Sequence, residues 1–146
     1  MANEVRFIKF DELHLLLELY KHLNPEDKYN LEDINKVWQK IFEDPNLYYF
    51  VVEKDNLLVS SCTMAIIKNL THEGRPYALI ENVVTHKDYR KRGYAGVVLK
   101  RAIKLAKEKG CYKVMLMTGR KEKSTLDFYE RVGFKKDIKI GFIVLL

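Results

Sequence analysis

Several residue types that mark special structural classes are scarce in this 146-residue sequence. Seven Gly and three Pro are too few for a collagen-like chain, a flexible linker or a proline-rich segment. No apolar run approaches the roughly 18 residues that a membrane-spanning helix needs. The first seven residues, MANEVRF, lack the apolar core of a signal peptide. We therefore expect one globular domain over residues 1–146, cytoplasmic and with no membrane partner.

Patterns typical of metal sites and disulfides are also lacking. The two cysteines, Cys62 and Cys111, lie inside apolar runs, as is typical of buried free thiols in a reducing compartment. The four histidines are scattered, and no Cys-x-x-Cys or His-x-x-x-His pattern occurs. The sequence predicts no metal.

The positive charge is concentrated in one stretch. The chain has 26 Lys and Arg against 20 Asp and Glu, a net charge of +6. Residues 87–109 contain nine basic and only two acidic residues, so this stretch carries the whole excess. The charge predicts an anionic partner, which could be a phosphate-bearing ligand or a nucleic acid.

Hydrophobic periodicity predicts the order β-α-α-β-β-β-α-β-α-β. The predicted strands are 4–10, Leu47–Glu53, Leu57–Ile67, Tyr77–Thr85, Tyr112–Thr118 and Ile138–Leu145. The predicted helices start after Asp11 and Asn30 as N-caps and cover Gly96–Lys109 and Lys123–Val132. Hairpin-like strands followed by strand–helix–strand indicate an α/β (α+β) fold with a mixed sheet and helices on both faces.

The loop after Tyr77–Thr85 is rich in basic and small residues. It reads Arg90-Lys91-Arg92-Gly93-Tyr94-Ala95-Gly96 and leads into a helix. Small residues let backbone N–H groups approach a ligand, and the helix N-terminus adds a positive dipole end. Three consecutive bases there are unfavourable without an anion. The loop therefore predicts a pyrophosphate cradle, although neither the P-loop nor the dinucleotide pattern is present.

Two motifs resemble the GNAT superfamily of acetyl-CoA-dependent N-acetyltransferases. Arg90–Ala95 is similar to its Arg/Gln-x-x-Gly-x-Gly/Ala motif, and Leu126–Phe134 is similar to its FYE-x-x-GF signature. The resemblance covers essentially the whole chain and implies the GNAT fold, with a sheet splayed between strands four and five. Glu122 stands where members often carry an Asn, so we assign it no cofactor-binding role.

The resemblance also implies where acetyl-CoA binds. It places the cosubstrate between the strands Tyr77–Thr85 and Tyr112–Thr118, with the pyrophosphate on the glycine loop. Backbone groups of the first strand are expected to pair with the pantetheine arm and to polarise the thioester carbonyl. The expected cofactor-binding residues are Val83, Val84, Thr85, Arg90, Lys91, Arg92, Gly93, Tyr94, Ala95 and Gly96.

Tyr129 and Glu81 are the candidate catalytic residues. The family places the Tyr129 hydroxyl at the cofactor sulfur, where a phenol with a pKa of about 10 can donate its proton; the alternative is a core aromatic residue. Glu81 is the sole acid in a mostly apolar strand. A partly buried carboxylate would be a base for the amine, and the alternative is a solvent-facing side chain. Asn82 either orients the substrate or braces the strand.

The expected function is transfer of the acetyl group of acetyl-CoA to a primary amine of a small molecule, by direct attack and without a metal. Dimers are common in the family, so a homodimer is compatible with this assignment. We expect the first two helices and the loop Asn69–Arg75 to line the acceptor side. One alternative is a nucleic-acid-binding module, which the basic stretch allows but no recognition motif supports. The other is a non-catalytic acetyl-CoA sensor, against which Tyr129 argues.

Overall fold

Five strands form one mixed sheet in the computed structural model, which describes residues 4–146. The strands are β1 (Arg6–Phe7), β2 (Leu47–Lys54), β3 (Leu57–Ile67), β4 (Tyr77–Thr85) and β5 (Val114–Met115), and they lie in that order across the sheet. Neighbours from β1 to β4 are antiparallel, and β5 is parallel to β4. Asp55 and Asn56, both with positive φ, form the tight turn between β2 and β3.

The helices are α1 (Leu13–Tyr20), α2 (Leu31–Glu43), the single turn α3 (Thr71–Gly74), α4 (Tyr94–Glu108) and α5 (Lys123–Val132). Asn30 caps α2 as predicted, because its Oδ1 accepts the Asp33 N–H at 3.1 Å. The helix ends before Asp44-Pro45, where proline disfavours a helical predecessor. Helix α4 begins two residues earlier than predicted, since Gly93 takes its N-cap position.

The helices cover both faces of the sheet, as predicted. On one face, α4 buries the predicted stripe Val98, Leu99, Ala102, Leu105 and Ala106 against β2, β3 and β4, and α5 packs beside it. On the other face, α1 and α2 form a second core, which contains Leu16, Leu19, Trp38, Val51, Leu58 and Val84. Full burial of one such side chain contributes about 1.5–3 kcal/mol. β4 contributes Ala78 and Ile80 to the first core and Val84 to the second, so this strand lies between the two helix layers.

The first predicted strand and its helix cap were wrong in detail. Only Arg6–Phe7 pair with β2, and Phe10–Glu12 form a 3-10 turn before α1. Glu12, rather than Asp11, accepts the side-chain hydrogen bonds at this turn. Its carboxylate accepts one from the Lys9 N–H at 2.8 Å and two from the Arg6 guanidinium at 2.7 and 2.9 Å. Glu12 is consequently buried.

Two later strands also differ from the prediction. The strand expected over Tyr112–Thr118 is reduced to Val114–Met115, because β4 and β5 pair at only two positions. Ile138–Leu145 has the alternating apolar pattern of a strand but makes no ladder with the described residues, and its side chains are exposed. A strand needs a neighbouring backbone to accept its hydrogen bonds, and the pattern alone does not supply one.

Cysteine burial agrees with the sequence prediction, since Cys62 is buried, Cys111 is half-buried and both are free thiols. Burial raises the pKa of Cys62 to about 12. Among residues 4–146, no helix is long and apolar enough to cross a membrane. Within the same range, no three His, Cys, Asp or Glu side chains are grouped as metal ligands would be.

Candidate active site

The site is a cleft that opens where β4 and β5 diverge. The two strands pair at Ala78–Val114 and Leu79–Met115 and then separate. The space between them has a volume of about 1650 Å³ and is continuous with the gap below α1 and α2. Its walls come from β4, from the glycine loop with the start of α4, from 117–132 and from α1 and α2. A cleft at diverging strand ends is a usual place for a ligand in α/β sheets.

A β-bulge distorts β4 at the centre of the cleft. Ser61 pairs with Val84 and Thr63 with Glu81, so Asn82 and Val83 together face the single residue Cys62. Asn82 has a φ of 54°, a left-handed conformation that costs on the order of 1–3 kcal/mol for a residue other than glycine. The bulge bends β4 locally and interrupts its hydrogen bonds with β3.

The glycine loop is held firmly in front of α4. The Arg90 Nε donates to the Thr85 carbonyl at 3.1 Å, and its Nη2 donates to the His22 carbonyl at 3.4 Å. Tyr89 donates its hydroxyl proton to the Asp55 carboxylate, which ties the loop to the β2–β3 turn. The loop is thus fixed to β4, to the end of α1 and to the hairpin before any ligand binds.

Positive φ at Lys91 (62°) and Gly93 (86°) turns the chain into α4. An ideal Cβ on Gly93 would have no atom within 4 Å, so open space faces the helix N-terminus. The first N–H groups of this 15-residue helix have no partner within the helix and carry its positive dipole end. The geometry is that of an anion cradle.

The charges of the cleft agree with an anionic ligand. Seven Lys and Arg line it against two acids, Asp27 and Glu81. Partial burial and the neighbouring His86 and Arg90 charges lower the pKa of His22 at the edge of the cleft. The positive potential that disfavours protonation of His22 also favours the binding of phosphate groups.

Tyr129 faces the cleft from α5, as the sequence predicted. Its ring packs edge-on against Phe128 (5.1 Å between centroids) and Phe134 (6.1 Å). Burial raises the pKa of the Tyr129 phenol above its ordinary value, while the Arg120 charge opposes this shift. Tyr129 therefore holds its proton at neutral pH and is able to donate it.

Glu81 lies on β4 in the wall of the cleft, but its side chain is exposed. Of the two alternatives that the sequence left open for this side chain, the structure shows the solvent-facing one. β5 pairs with β4 only as far as Leu79, so Glu81 lies beyond the point where β5 leaves the edge of β4. Among the described residues, no cation forms an ion pair with Glu81.

Comparison with known proteins agrees with this geometry. The sequence model of the Acetyltransferase (GNAT) family matches residues 13–134. The chain belongs to the GNAT family. Its members are acetyl-CoA-dependent N-acetyltransferases, and acetyl transfer to an amine is the activity that this membership assigns.

Three known proteins are similar to this chain in sequence or in fold. A glucosamine 6-phosphate N-acetyltransferase from Trypanosoma brucei brucei is 29% identical over 135 residues, which cover 90% of this chain and 88% of that protein. A protein from Agrobacterium tumefaciens, designated an acetyltransferase, is 40% identical, with a TM-score of 0.92 over 98% of this chain and 99% of that one. AAC(6′)-Iy, solved with a bisubstrate analogue containing CoA, shares the fold at 17% identity and a TM-score of 0.79, covering 98% and 97% of the two chains.

Most of the GNAT residues expected from sequence lie together in the cleft. Glu81, Val83, Val84, Thr85, Arg90, Lys91, Gly93, Tyr94, Ala95, Gly96 and Tyr129 all line it. Arg92 does not; its guanidinium lies 5.3 Å from the centre of the Tyr89 ring. Glu122 also lies outside the lining, at the N-cap of α5. His86 accepts the Asp88 N–H at Nδ1, a structural contact at the base of the loop.

The acceptor side differs from the sequence expectation in one respect. Helices α1 and α2 line the cleft as expected, but the loop Asn69–Arg75 does not. This loop lies at the opposite end of β4, where His72 stacks on Tyr112 at 3.8 Å. The loop connects the end of β3 to the start of β4, whereas the cleft lies beside the last residues of β4. The loop is therefore too far along the strand to line the cleft.

The sequence placed α2 on the acceptor side but did not show which of its side chains reach the cleft. On this helix only Trp38 is buried, and Ile34, Val37 and Ile41 line the cavity beside it. The Tyr20 side chain of α1 also lines the cavity, and its hydroxyl is buried near Thr63 and Asn82.

Proposed function

We propose that this GNAT protein transfers the acetyl group of acetyl-CoA to the primary amine of a small molecule by direct attack, with no covalent enzyme intermediate. The observation that carries the proposal is the continuity of the cleft. One end is a basic helix N-terminus suited to a pyrophosphate, the other is a wall of α1 and α2, and Glu81 and Tyr129 lie between them. Such an arrangement suits two substrates that meet at the centre.

Cofactor binding is assigned to the residues around the bulge and the glycine loop. The backbone N–H groups from Arg90 to Gly96 hold the pyrophosphate, and the charges of Arg90, Lys91 and Arg92 favour it electrostatically. The Val83–Thr85 segment of β4 lies along the pantetheine arm, and an N–H at Val83–Val84 polarises the thioester carbonyl. Support comes from the open space before Gly93 and from the interruption of the β4 ladder at Asn82.

Glu81 and Tyr129 are assigned the proton transfers. Glu81, directly or through water, removes the proton that makes the amine unreactive at neutral pH. The amine nitrogen then forms a bond to the carbonyl carbon, the bond from this carbon to sulfur breaks, and the nitrogen loses its second proton to water, which leaves a neutral amide. Tyr129 donates its proton to the departing thiolate and regains one from solvent, while Glu81 releases its proton to solvent. The raised pKa of Tyr129 and the accessibility of Glu81 support these roles.

The acceptor is assigned as a monoamine with an apolar body. Apolar and aromatic side chains dominate the α1–α2 wall, namely Leu13, Leu17, Tyr20, Ile34, Val37, Trp38 and Ile41, and Tyr49 of β2 lies beside them. Only Asp27 and Glu81 are acidic in the whole lining, which disfavours acceptors that carry several positive charges.

A panel of amines tests the proposal. Release of the CoA thiol from acetyl-CoA is measured with an arylalkylamine, an alkylamine, spermidine, glucosamine 6-phosphate and an aminoglycoside. We expect the highest kcat/KM with the arylalkylamine. Absence of amine-dependent thiol release with every member would contradict acetyl transfer to a small molecule. A preference for the polycations or the phosphorylated sugar would contradict only the acceptor class.

A pair of variants on α2 tests the acceptor wall itself. Val37 lines the cleft and is 49% exposed, whereas Leu31, on the same helix, is 57% exposed and lies outside the lining. Val37→Asn is expected to raise the KM of the best amine about tenfold, since it adds an uncharged polar group to an apolar contact. Leu31→Asn is the matched control. Equal effects of the two variants, or an effect of Val37→Asn on the KM of acetyl-CoA alone, would contradict this assignment.

A further inference from the structure

Three buried hydroxyl groups lie beside the cleft without a hydrogen-bond partner among the described residues. They belong to Tyr20 of α1 and to Ser61 and Thr63 of β3. Ser61 is 1% exposed and Thr63 is 8% exposed. A buried polar group without a partner lowers stability, and such groups are few in native proteins. Three of them next to an active site therefore point to a functional role.

The register of the sheet places the two β3 hydroxyl groups on the face that α1 covers. Ser61 pairs directly with Val51 and Val84, which belong to the core below α1 and α2. Thr63 is two residues further along β3 and therefore shares that face. Thr63 pairs with Glu81, and the side chains of directly paired residues lie on the same face. The hydroxyl groups are thus next to the part of β4 that carries Glu81 and the bulge.

Tyr20 is held in place at the end of α1. Its carbonyl accepts the N–H groups of Leu23 and Asn24 at 3.0 and 2.9 Å, and its phenol lies beside Thr63 and Asn82. Burial raises the pKa of the Tyr20 phenol far above its ordinary value, so the hydroxyl keeps its proton at any pH at which the enzyme is assayed. It is a neutral group that can donate one hydrogen bond and accept another.

Asn82 is a residue that needs a contact of this kind. Its left-handed φ of 54° is less costly for Asn than for most residues, but it is still unfavourable relative to an extended strand. The bulge leaves Asn82 without a paired residue in β3, and the residue is exposed in the cleft wall. Neither regular strand pairing nor burial holds Asn82 in this conformation, so a side-chain contact has to do so.

We propose that the Tyr20 hydroxyl is a positioning group for acetyl transfer: with acetyl-CoA bound, it donates a hydrogen bond to the Asn82 carboxamide oxygen and accepts one from Thr63. These two bonds hold Asn82 in its left-handed conformation. Because Val83 and Val84 follow directly, the bulge sets the direction in which their N–H groups point. The inference rests on the proposed polarisation of the thioester carbonyl by these N–H groups. Hydrogen bonds in active sites are often long in the free enzyme and tighten in the complex, which accounts for the missing partners.

The test uses conservative variants of the full chain. Tyr20→Phe removes the hydroxyl and keeps the ring, and Thr63→Val removes the second hydroxyl at nearly constant shape. Neither hydroxyl has a hydrogen-bond partner in the free protein, so both variants are expected to fold, as thermal unfolding followed by circular dichroism can check. Tyr48→Phe is the matched control, because Tyr48 packs against the other core and lies outside the cleft lining.

Infrared spectroscopy of bound acetyl-CoA, labelled with carbon-13 at the thioester carbonyl, measures the polarisation without any amine. The carbonyl band should lie at lower frequency on the wild type and on Tyr48→Phe than in free acetyl-CoA. Tyr20→Phe should lose at least half of this downshift, and Thr63→Val should lose part of it. With the best amine, the kcat of Tyr20→Phe should fall about tenfold, or about 1.4 kcal/mol, while the Kd of acetyl-CoA stays within about threefold of the wild-type value.

Glycine at position 82 separates positioning from direct contact with a substrate. Glycine adopts positive φ without steric cost, so Asn82→Gly keeps the bulge without a bond from Tyr20. Tyr20→Phe should therefore change kcat less than about twofold in the Asn82→Gly background, against about tenfold in the wild type. The shape of the pH–rate profile should be the same in Tyr20→Phe as in the wild type, because the buried phenol does not titrate in this range.

An unshifted carbonyl band on the wild type would overturn both the proposed polarisation by β4 and the role of Tyr20. Equal downshifts on the wild type and Tyr20→Phe would overturn the role of Tyr20 alone. An equal loss of kcat with Asn82 and with glycine at this position would do the same, since Tyr20 would then act by another route. A change confined to the KM of the amine would assign Tyr20 to the acceptor wall instead. Failure of every amine would contradict only the proposed acceptor, because the infrared measurement uses none.

Discussion

Gly93 gives the most direct test of the anion cradle. Gly93→Asp adds a negative charge at the N-cap of α4, where the proposal places the pyrophosphate. An added Cβ would meet no atom within 4 Å, so the variant creates no steric clash in the free protein. The φ of 86° is strained for any side chain, although Asp tolerates this region better than most residues. The principal effect on binding is therefore electrostatic.

The magnitude follows from Coulomb's law. At an effective dielectric constant of about 20, one negative charge roughly 8 Å from one phosphate charge costs about 2 kcal/mol. A Debye length of about 8 Å at physiological salt leaves roughly a third of this, about 0.8 kcal/mol for each phosphate charge. The two charges of a pyrophosphate at this distance together give about 1.5 kcal/mol, which corresponds to roughly a tenfold rise in the Kd of acetyl-CoA. We expect a loss of at least that size.

Two control variants separate charge from shape and strain. Gly93→Asn has nearly the size and backbone preference of Gly93→Asp without its charge. Gly74→Asp adds the same side chain at another positive-φ glycine (74°) with open space around it, away from the cleft. Isothermal titration calorimetry with acetyl-CoA at low and high salt measures all three variants. The Asp–Asn difference should shrink as salt is added.

Equal affinities for Gly93→Asp and Gly93→Asn would refute the placement of the phosphates. Weaker binding of acetyl-CoA by Gly74→Asp would show that the added charge acts without regard to its distance from the cleft, and would refute the placement of the phosphates at Gly93. Gly74→Asp is expected to bind acetyl-CoA as the wild type does.

Three further predictions concern the proton transfers and the fold. Tyr129→Phe should lower the single-turnover rate about 10²–10⁴-fold with acetyl-CoA affinity nearly unchanged, because the ring still packs; a rate within threefold of wild type would make Tyr129 structural. Glu81→Gln should lower the rate at neutral pH and recover partly at alkaline pH, where buffer deprotonates the amine; an unaltered pH–rate profile would remove Glu81 from the mechanism. Glu12→Gln should lower the free energy of unfolding at pH 7 by about 1–3 kcal/mol, because it weakens the bonds to Arg6 and Lys9. The Arg6 hydrogen bond lowers the pKa of Glu12, so its stabilisation is present above the ordinary glutamate pKa and is lost as pH falls through the lowered value. Urea unfolding of both proteins at neutral and acidic pH measures this, and a difference that grows in acid would contradict it.

The sequence alone determined the elements whose patterns are local. The α4 stripe, the Asn30 cap, the stop before Pro45 and the tight turn at Asp55-Asn56 depend on residues within one or two turns of each other. The glycine loop could also be read from the sequence, because small and basic residues at a strand–helix junction have few other uses. The two motifs then identified the family.

The tertiary structure decided features that depend on distant partners. Glu12 is buried because Arg6 reaches it across a turn, and Glu81 is exposed because β5 leaves the edge of β4 after Leu79. The α2 stripe predicts burial, but only the position of β4 and β5 decides that Val37 faces a cleft instead of a core. Similarly, the alternation of Ile138–Leu145 fixes which side chains share a face and leaves open which backbone will pair with it. Hydrophobic periodicity indicates only that one face of an element will be buried. The element that buries it makes long-range contacts, which no local sequence pattern encodes.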